Sequence, residues 1–130
     1  MNPHPHLPVL GDLVAGTAGA VAAIHVSSEG LVLGTSPGIG RDEADTWAAL
    51  MSGLGAMSSR SVGVVGHLTS GEHPWGHSVI EDRAGRTMTL VGAADHSMLA
   101  VVGAEGADLG EIAARLIVLA DRGLAAAVAA

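Results

Sequence analysis

A chain of 130 residues can enclose one hydrophobic core but not two. Its apolar content of 48% supplies that core almost without aromatics, since only Trp47 and Trp75 are present, so Ala, Val, Leu, Ile and Met must do the packing. A formal charge of −7, with six scattered arginines and no lysine, excludes a phosphate-binding surface and hence nucleic acid or an anionic membrane as partner. The absence of cysteine rules out disulfides and thiolate chemistry and suits a reducing compartment.

Residues 1–8 carry three prolines, two histidines and little to bury, which predicts a flexible N-terminal tail ahead of a single domain over residues 9–128. A short helix is expected from Val9 to about Ala18, with Leu10, Leu13, Val14 and Thr17 on one stripe, ending near Gly16 and Gly19. The apolar run Leu13–Val26 follows no basic residue and is interrupted by Thr17 and His25. It is too short for the roughly 20 residues of a membrane span, so neither a leader core nor a membrane insertion is expected, and a cytoplasmic protein is.

Ala20–Val26 and Leu31–Leu33 flank Ser27-Ser28-Glu29-Gly30, the pattern of a β-hairpin whose glycine can take positive φ. The cluster Ser36-Pro37-Gly38-Ile39-Gly40 lacks the Lys-Ser/Thr of a phosphate loop and the third glycine of a dinucleotide fingerprint, so it reads as a connection. A helix then runs from about Asp42 to Ser59, with Asp42 and Glu43 favouring its positive end.

That helix carries no charge from Thr46 to Ser59. Ala44, Trp47, Ala48, Met51 and Leu54 can cover a sheet, whereas Leu50 and Met57 point away from that stripe. Ala49, Gly53 and Ala56 form a groove of small residues that a second helix can approach closely. The expected occupant is the same helix of a second copy, in a two-fold contact; the alternative is a helix sandwiched within one chain by Ser61–Leu68 folding over it. Ser61–Pro74 reads either as a continuation of the helix or as an irregular crossover.

Three strands follow, Trp75–Glu81, Arg86–Ala93 and Met98–Gly103, joined by Asp82-Arg83-Ala84-Gly85 and Ala94-Asp95-His96-Ser97. The last segment, Asp108 to about Ala127, places Leu109, Ile112, Ala113, Leu116, Ala120 and Leu124 on one face of a helix capped near Asp108. Helix, two strands, helix, three strands, helix is an α+β layer architecture with a five-stranded antiparallel sheet.

No catalytic chemistry stands out. His73 and His77 are four residues apart, but Pro74 and Gly76 oppose the helix that would align them, and sequence places no third ligand. No Gly-x-Ser-x-Gly elbow accompanies Ser70 or Ser78, and the acidic pairs Asp42/Asp45 and Glu81/Asp82 sit at a helix start and a turn. No catalytic, cofactor-binding or metal residue is assigned, and no cofactor is expected.

The order of these features resembles the Roadblock family, named for the dynein light chain Roadblock, in its prokaryotic and actinobacterial branch. The resemblance rests on Gly19-Ala20-Val21, the turn before Leu31, the helix start Arg41-Asp42-Glu43-Ala44-Asp45, the three-strand stretch and Ala107-Asp108-Leu109-Gly110. It covers about Leu10 to Leu124, and departs at the hairpin turn, where Glu29-Gly30 replaces the frequent Asp-Gly. It implies a profilin-like Roadblock fold, α-β-β-α-β-β-β-α, with the long central helix on one sheet face and the terminal helices on the other. It also implies a homodimer in which the strand Trp75–Glu81 pairs with its twin at the sheet edge. The interface expected from helix and strand together is Ala49, Leu50, Gly53, Ala56, Met57, Trp75, His77 and Val79. The function implied is a non-catalytic adaptor in bacterial signalling that binds a small Ras-like GTPase and modulates its hydrolysis, alongside a sensor-kinase system; the alternative is a nucleotide-independent dimerisation scaffold. An arginine finger, if used, would come from Arg41, Arg60, Arg83 or Arg86, expected in loops or at element ends.

Overall fold

A computed structural model describes residues 7–122. The expected tail lies outside the described residues apart from Leu7 and Pro8, and so does the stretch of the last helix beyond Arg122. Leu7 N–H donates to the Thr35 carbonyl at 3.1 Å, and Pro8 opens α1 (Pro8–Gly16), where its missing N–H costs nothing. The hairpin is β1 (Ala20–Val26) and β2 (Val32–Thr35), followed by α2 (Arg41–Leu68), β3 (His77–Glu81), β4 (Thr87–Gly92), β5 (Met98–Gly103) and α3 (Leu109–Arg122).

The strands form one antiparallel sheet in the order β2-β1-β5-β4-β3, so β2 and β3 are its edges. Ile24 pairs with Ala100 and Ala100 with Leu90, and alternation along each strand sends neighbouring side chains to opposite faces. Ala23, Val91, Leu99 and Val101 meet Leu10 of α1 and Ile112, Leu116 and Leu119 of α3 on one face. Ile24, Val26, Leu90, Met98 and Ala100 meet Ala44, Ala48 and Met51 of α2 on the other. The expected layer order, central helix on one face and terminal helices on the other, is therefore the observed one.

Local chemistry sets the turns. Gly19 (φ +83°) carries the chain from α1 into β1, and a Cβ there would lie 2.6 Å from that of Ala107, so both conformation and space require glycine. Gly30 (φ +87°) closes the hairpin; Ser27 Oγ takes the Leu31 N–H at 3.0 Å, which is why β2 begins at Val32 and not at Leu31. Asp82 Oδ1 accepts from the N–H groups of Ala84 and Arg86 while Oδ2 holds Arg86 Nε at 2.7 Å, which defines the β3–β4 turn and draws the Asp82 carboxyl below its usual range, chiefly through the Arg86 N–H. Asp108 Oδ1 accepts from Glu111 N–H at 3.1 Å, the cap expected for α3.

Two further boundaries bear on the surface beside α2. Of the two readings left open for Ser61–Pro74, the helix continues, to Leu68; Gly63 and Gly66 each lower helix propensity by about 1 kcal/mol but do not break a helix, and no proline intervenes. Ser61–Leu68 thus extends α2 and does not fold over it, so the single-chain sandwich is corrected. β3 begins at His77, two residues later than expected, because Pro74 offers no N–H and Trp75 turns inward, its Nε1 donating to Ser78 Oγ at 2.9 Å.

Candidate functional site

At 28 residues and 1.5 Å per residue, α2 is about 42 Å long, yet none of its residues after Gly55 is buried. Its first half is tied down on both sides. Ser52 Oγ donates to the Ser28 carbonyl at 3.3 Å, and Trp47 Nε1 donates to Met88 Sδ at 2.8 Å. Ser58 Oγ lies 2.7 Å from Ser78 Oγ, which fixes the middle of the helix beside the edge strand β3. The helix is rigidly placed while its outer side stays apolar and open.

That outer side exposes Leu50, Met57 (67%), Val64, Val65 and Leu68 (75%), a large apolar patch for a helix face. Arg60 is the sole Asp, Glu, Lys or Arg between Asp45 and Leu68. Nothing lies within 4 Å of a Cβ built on Gly53, so the groove expected there is open. Between the first half of α2 and the sheet lies a basin of about 590 Å³ lined by Ile39, Trp47, Leu50, Met88 and Val102, with Asp42 and Glu43 at its rim. Val79 and Ile80 are exposed on β3, whose sole strand neighbour among the described residues is β4.

The structure brings Ala49, Leu50, Gly53, Ala56 and Met57 together on the exposed side of α2. It does not add the strand residues to that surface. His77 and Val79 pair with Val91 and Thr89, which puts them on the sheet face away from α2, and Trp75 is half-buried against the α2-side core. Ser78 and Ile80 are the β3 residues on the α2 side. Val64, Val65 and Leu68 extend the exposed apolar side of α2 beyond the residues singled out from the sequence; their signal was the continued three- and four-residue spacing of apolar positions past Ser59.

A polar cluster lies at the β4–β5 turn, where His96 has φ +68°. Asp95 Oδ1 accepts from both the N–H and the Oγ of Ser97, and His25 Nε2 lies 2.9 Å from Ser97 Oγ. Burial pushes the His25 imidazole below its usual pKa, with Asp95 opposing, while the Ser97 hydrogen bonds hold the Asp95 carboxyl below its own. The serine proton goes to Asp95 and not to His25, so the imidazole is not a base activating Ser97, and the cluster is a structural pin.

Arg60, expected near an element end, lies inside α2 because the helix runs on. Arg41 pairs with Asp45 at 3.7 Å and Arg86 with Asp82 at 2.7 Å; Arg83 is exposed in the β3–β4 turn. Among the described residues no group of three or more His, Cys, Asp or Glu is placed to hold a metal ion, and no helix is long and apolar enough to cross a membrane.

The Roadblock/LC7 domain family model matches residues 9–103. One Roadblock/LC7 domain of Streptomyces avermitilis is 30% identical, with 83% of this chain and 87% of that one covered and a TM-score of 0.62. A second from the same organism is 23% identical over 88% and 90%, with a TM-score of 0.75. MglB of Myxococcus xanthus is 16% identical over 84% of each chain, with a TM-score of 0.68. No curated protein sequence matches.

Proposed function

Because this chain belongs to the Roadblock/LC7 domain family, we propose that it is a non-catalytic homodimeric adaptor that binds a small Ras-like GTPase and modulates its GTP hydrolysis in a cytoplasmic bacterial signalling system. The observation that carries the self-association is the apolar outer side of α2 standing beside the free edge of β3. An unpaired edge bearing Val79 and Ile80 is an aggregation hazard unless something covers it, and an isologous contact covers strand edge and helix stripe at once. An MglB structure with a tetrameric arrangement is consistent with a fold that assembles with itself. The GTPase follows from what membership of the family implies, and the acidic balance of the chain suits a protein partner over a nucleic acid.

The test has two parts. Sedimentation velocity of the purified chain should show a dimer. Affinity capture from native lysate with GDP or a non-hydrolysable GTP analogue, followed by titration of the identified GTPase as a purified protein, should show one nucleotide state bound more tightly and an altered hydrolysis rate. Recovery of other proteins independently of nucleotide, with no GTPase among them, would replace this reading with the dimerisation scaffold.

A further inference from the structure

Three hairpin turns of this chain share one backbone pattern. Ser27 N–H donates to the Leu31 carbonyl and Gly30 N–H to that of Ser27; Asp82 N–H donates to Arg86 and Gly85 N–H to Asp82 in the same way, as do Ala93 N–H to Ser97 and His96 N–H to Ala93. The fourth residue of each turn takes positive φ, and in two of the three it is glycine, at +87° for Gly30 and +85° for Gly85. In the third it is His96 at +68°, the sole non-glycine residue of positive φ among the described residues. An L side chain is disfavoured in that conformation, and a residue kept there at such a cost points to a task outside the turn itself.

His96 lines a cavity of about 500 Å3 that opens between the β1–β2 turn, the middle of α2, Trp75 and the β4–β5 turn, with Asp121 of α3 also on its wall. Its size lies within the roughly 300–1,000 Å3 of small-molecule sites. A Cβ on Gly55 would collide with Met98 Sδ, and one on Gly92 would lie 3.2 Å from the Trp75 ring. Met98 and Trp75 therefore occupy space that two side chains would otherwise fill, and the apolar wall is set back against helix and strand. Polar groups line the cavity as well. Ser52 Oγ donates its proton to the Ser28 carbonyl and keeps its lone pairs for an incoming donor, and the Ser59 hydroxyl, the His96 imidazole and the Asp121 carboxylate complete the set.

We propose that this cavity binds an uncharged nucleoside. No Lys or Arg lines it whereas Asp121 does, and the chain carries a formal charge of −7, so phosphates and carboxylates are repelled. Trp75 offers an aromatic wall against which a base can stack. A carboxylate has acceptors for both hydroxyls of a ribose diol, which leaves Ser59 and His96 for the donors and acceptors of the base edge. A sugar alone lacks the flat ring and an apolar ring lacks the diol, so the two kinds of wall together select a ligand that has both. Such binding requires neither a second copy of the chain nor a GTPase.

Ligand-observed NMR titration of the purified chain with adenosine and with guanosine reads the binding directly, and at least one of them should bind. Gly30 and Gly85 hold the equivalent position in the sister turns, so His96→Gly should fold, keep or raise its melting temperature, and bind about tenfold more weakly or worse. Asp121→Ala, at an exposed residue, should weaken binding likewise and leave the melting temperature unchanged. Adenosine monophosphate and the deoxyribose form of adenosine should both bind more weakly than adenosine. Failure of both nucleosides to bind the wild-type chain would overturn the proposal, as would undiminished binding in the two variants or a monophosphate that binds as tightly as its nucleoside. A melting temperature that drops in His96→Gly would show that the imidazole serves the turn itself and would overturn it too.

Discussion

His25 Nε2 and Ser97 Oγ lie 2.9 Å apart although 72 residues separate them in sequence, so one hydrogen bond ties the first strand to the turn between the last two. Ser97 gives its own proton to Asp95, so it accepts from His25 Nε2–H. The unfolded chain takes up a proton on His25 at about the ordinary 6.5, while burial delays that uptake in the folded state. Stability is therefore full above about pH 7 and falls as pH drops through 6.5 toward the lower folded value. Urea midpoints between pH 7.5 and 5 should decline, and H25Q should flatten this part of the profile; an equally steep decline in H25Q would assign the effect to other groups.

Gly53→Leu should have opposite effects on chain and assembly. No atom lies within 4 Å of the new Cβ in one chain, and leucine is favoured over glycine inside a helix by about 1 kcal/mol. Thermal stability of the single chain should thus rise or hold while the dimer, crowded at the groove, dissociates in sedimentation. An intact dimer would place the helix contact away from Gly53.

Gly19→Ala should destabilise by about 3 kcal/mol, because it forces an L side chain to φ +83° and drives its Cβ to 2.6 Å from Ala107. Chemical denaturation measures this directly, and a loss below about 1 kcal/mol would show that the α1–β1 corner relaxes freely.

Thr89→Val should stabilise by about 1 kcal/mol. Thr89 is fully buried in β4 between Val79 and Val101, and its Oγ1 has no hydrogen-bond partner among the described residues. Removing a buried, unpartnered hydroxyl while keeping its shape should raise the melting temperature by about 4 °C.

Much of this protein was determined by residues that act locally. The hairpin follows from Ser27 and Gly30, the start of α2 from Asp42 and Glu43, the cap of α3 from Asp108, and β5 from the run Met98–Gly103, because turn chemistry and apolar period act within a few residues. The exposed apolar side of α2 was legible for the same reason: Leu50 and Met57 cannot share a helical face with Ala44, Ala48 and Met51. Tertiary structure alone decided the rest. Whether Ser61–Leu68 continued the helix depended on a balance between weak glycine penalties and the absence of a competing contact. Which face His77 and Val79 occupy depended on the β3–β4 register, and a shift of one residue would have reversed it. The pin between His25 and Ser97 joins β1 to the β4–β5 turn, and no local spacing records a contact made only when the sheet closes.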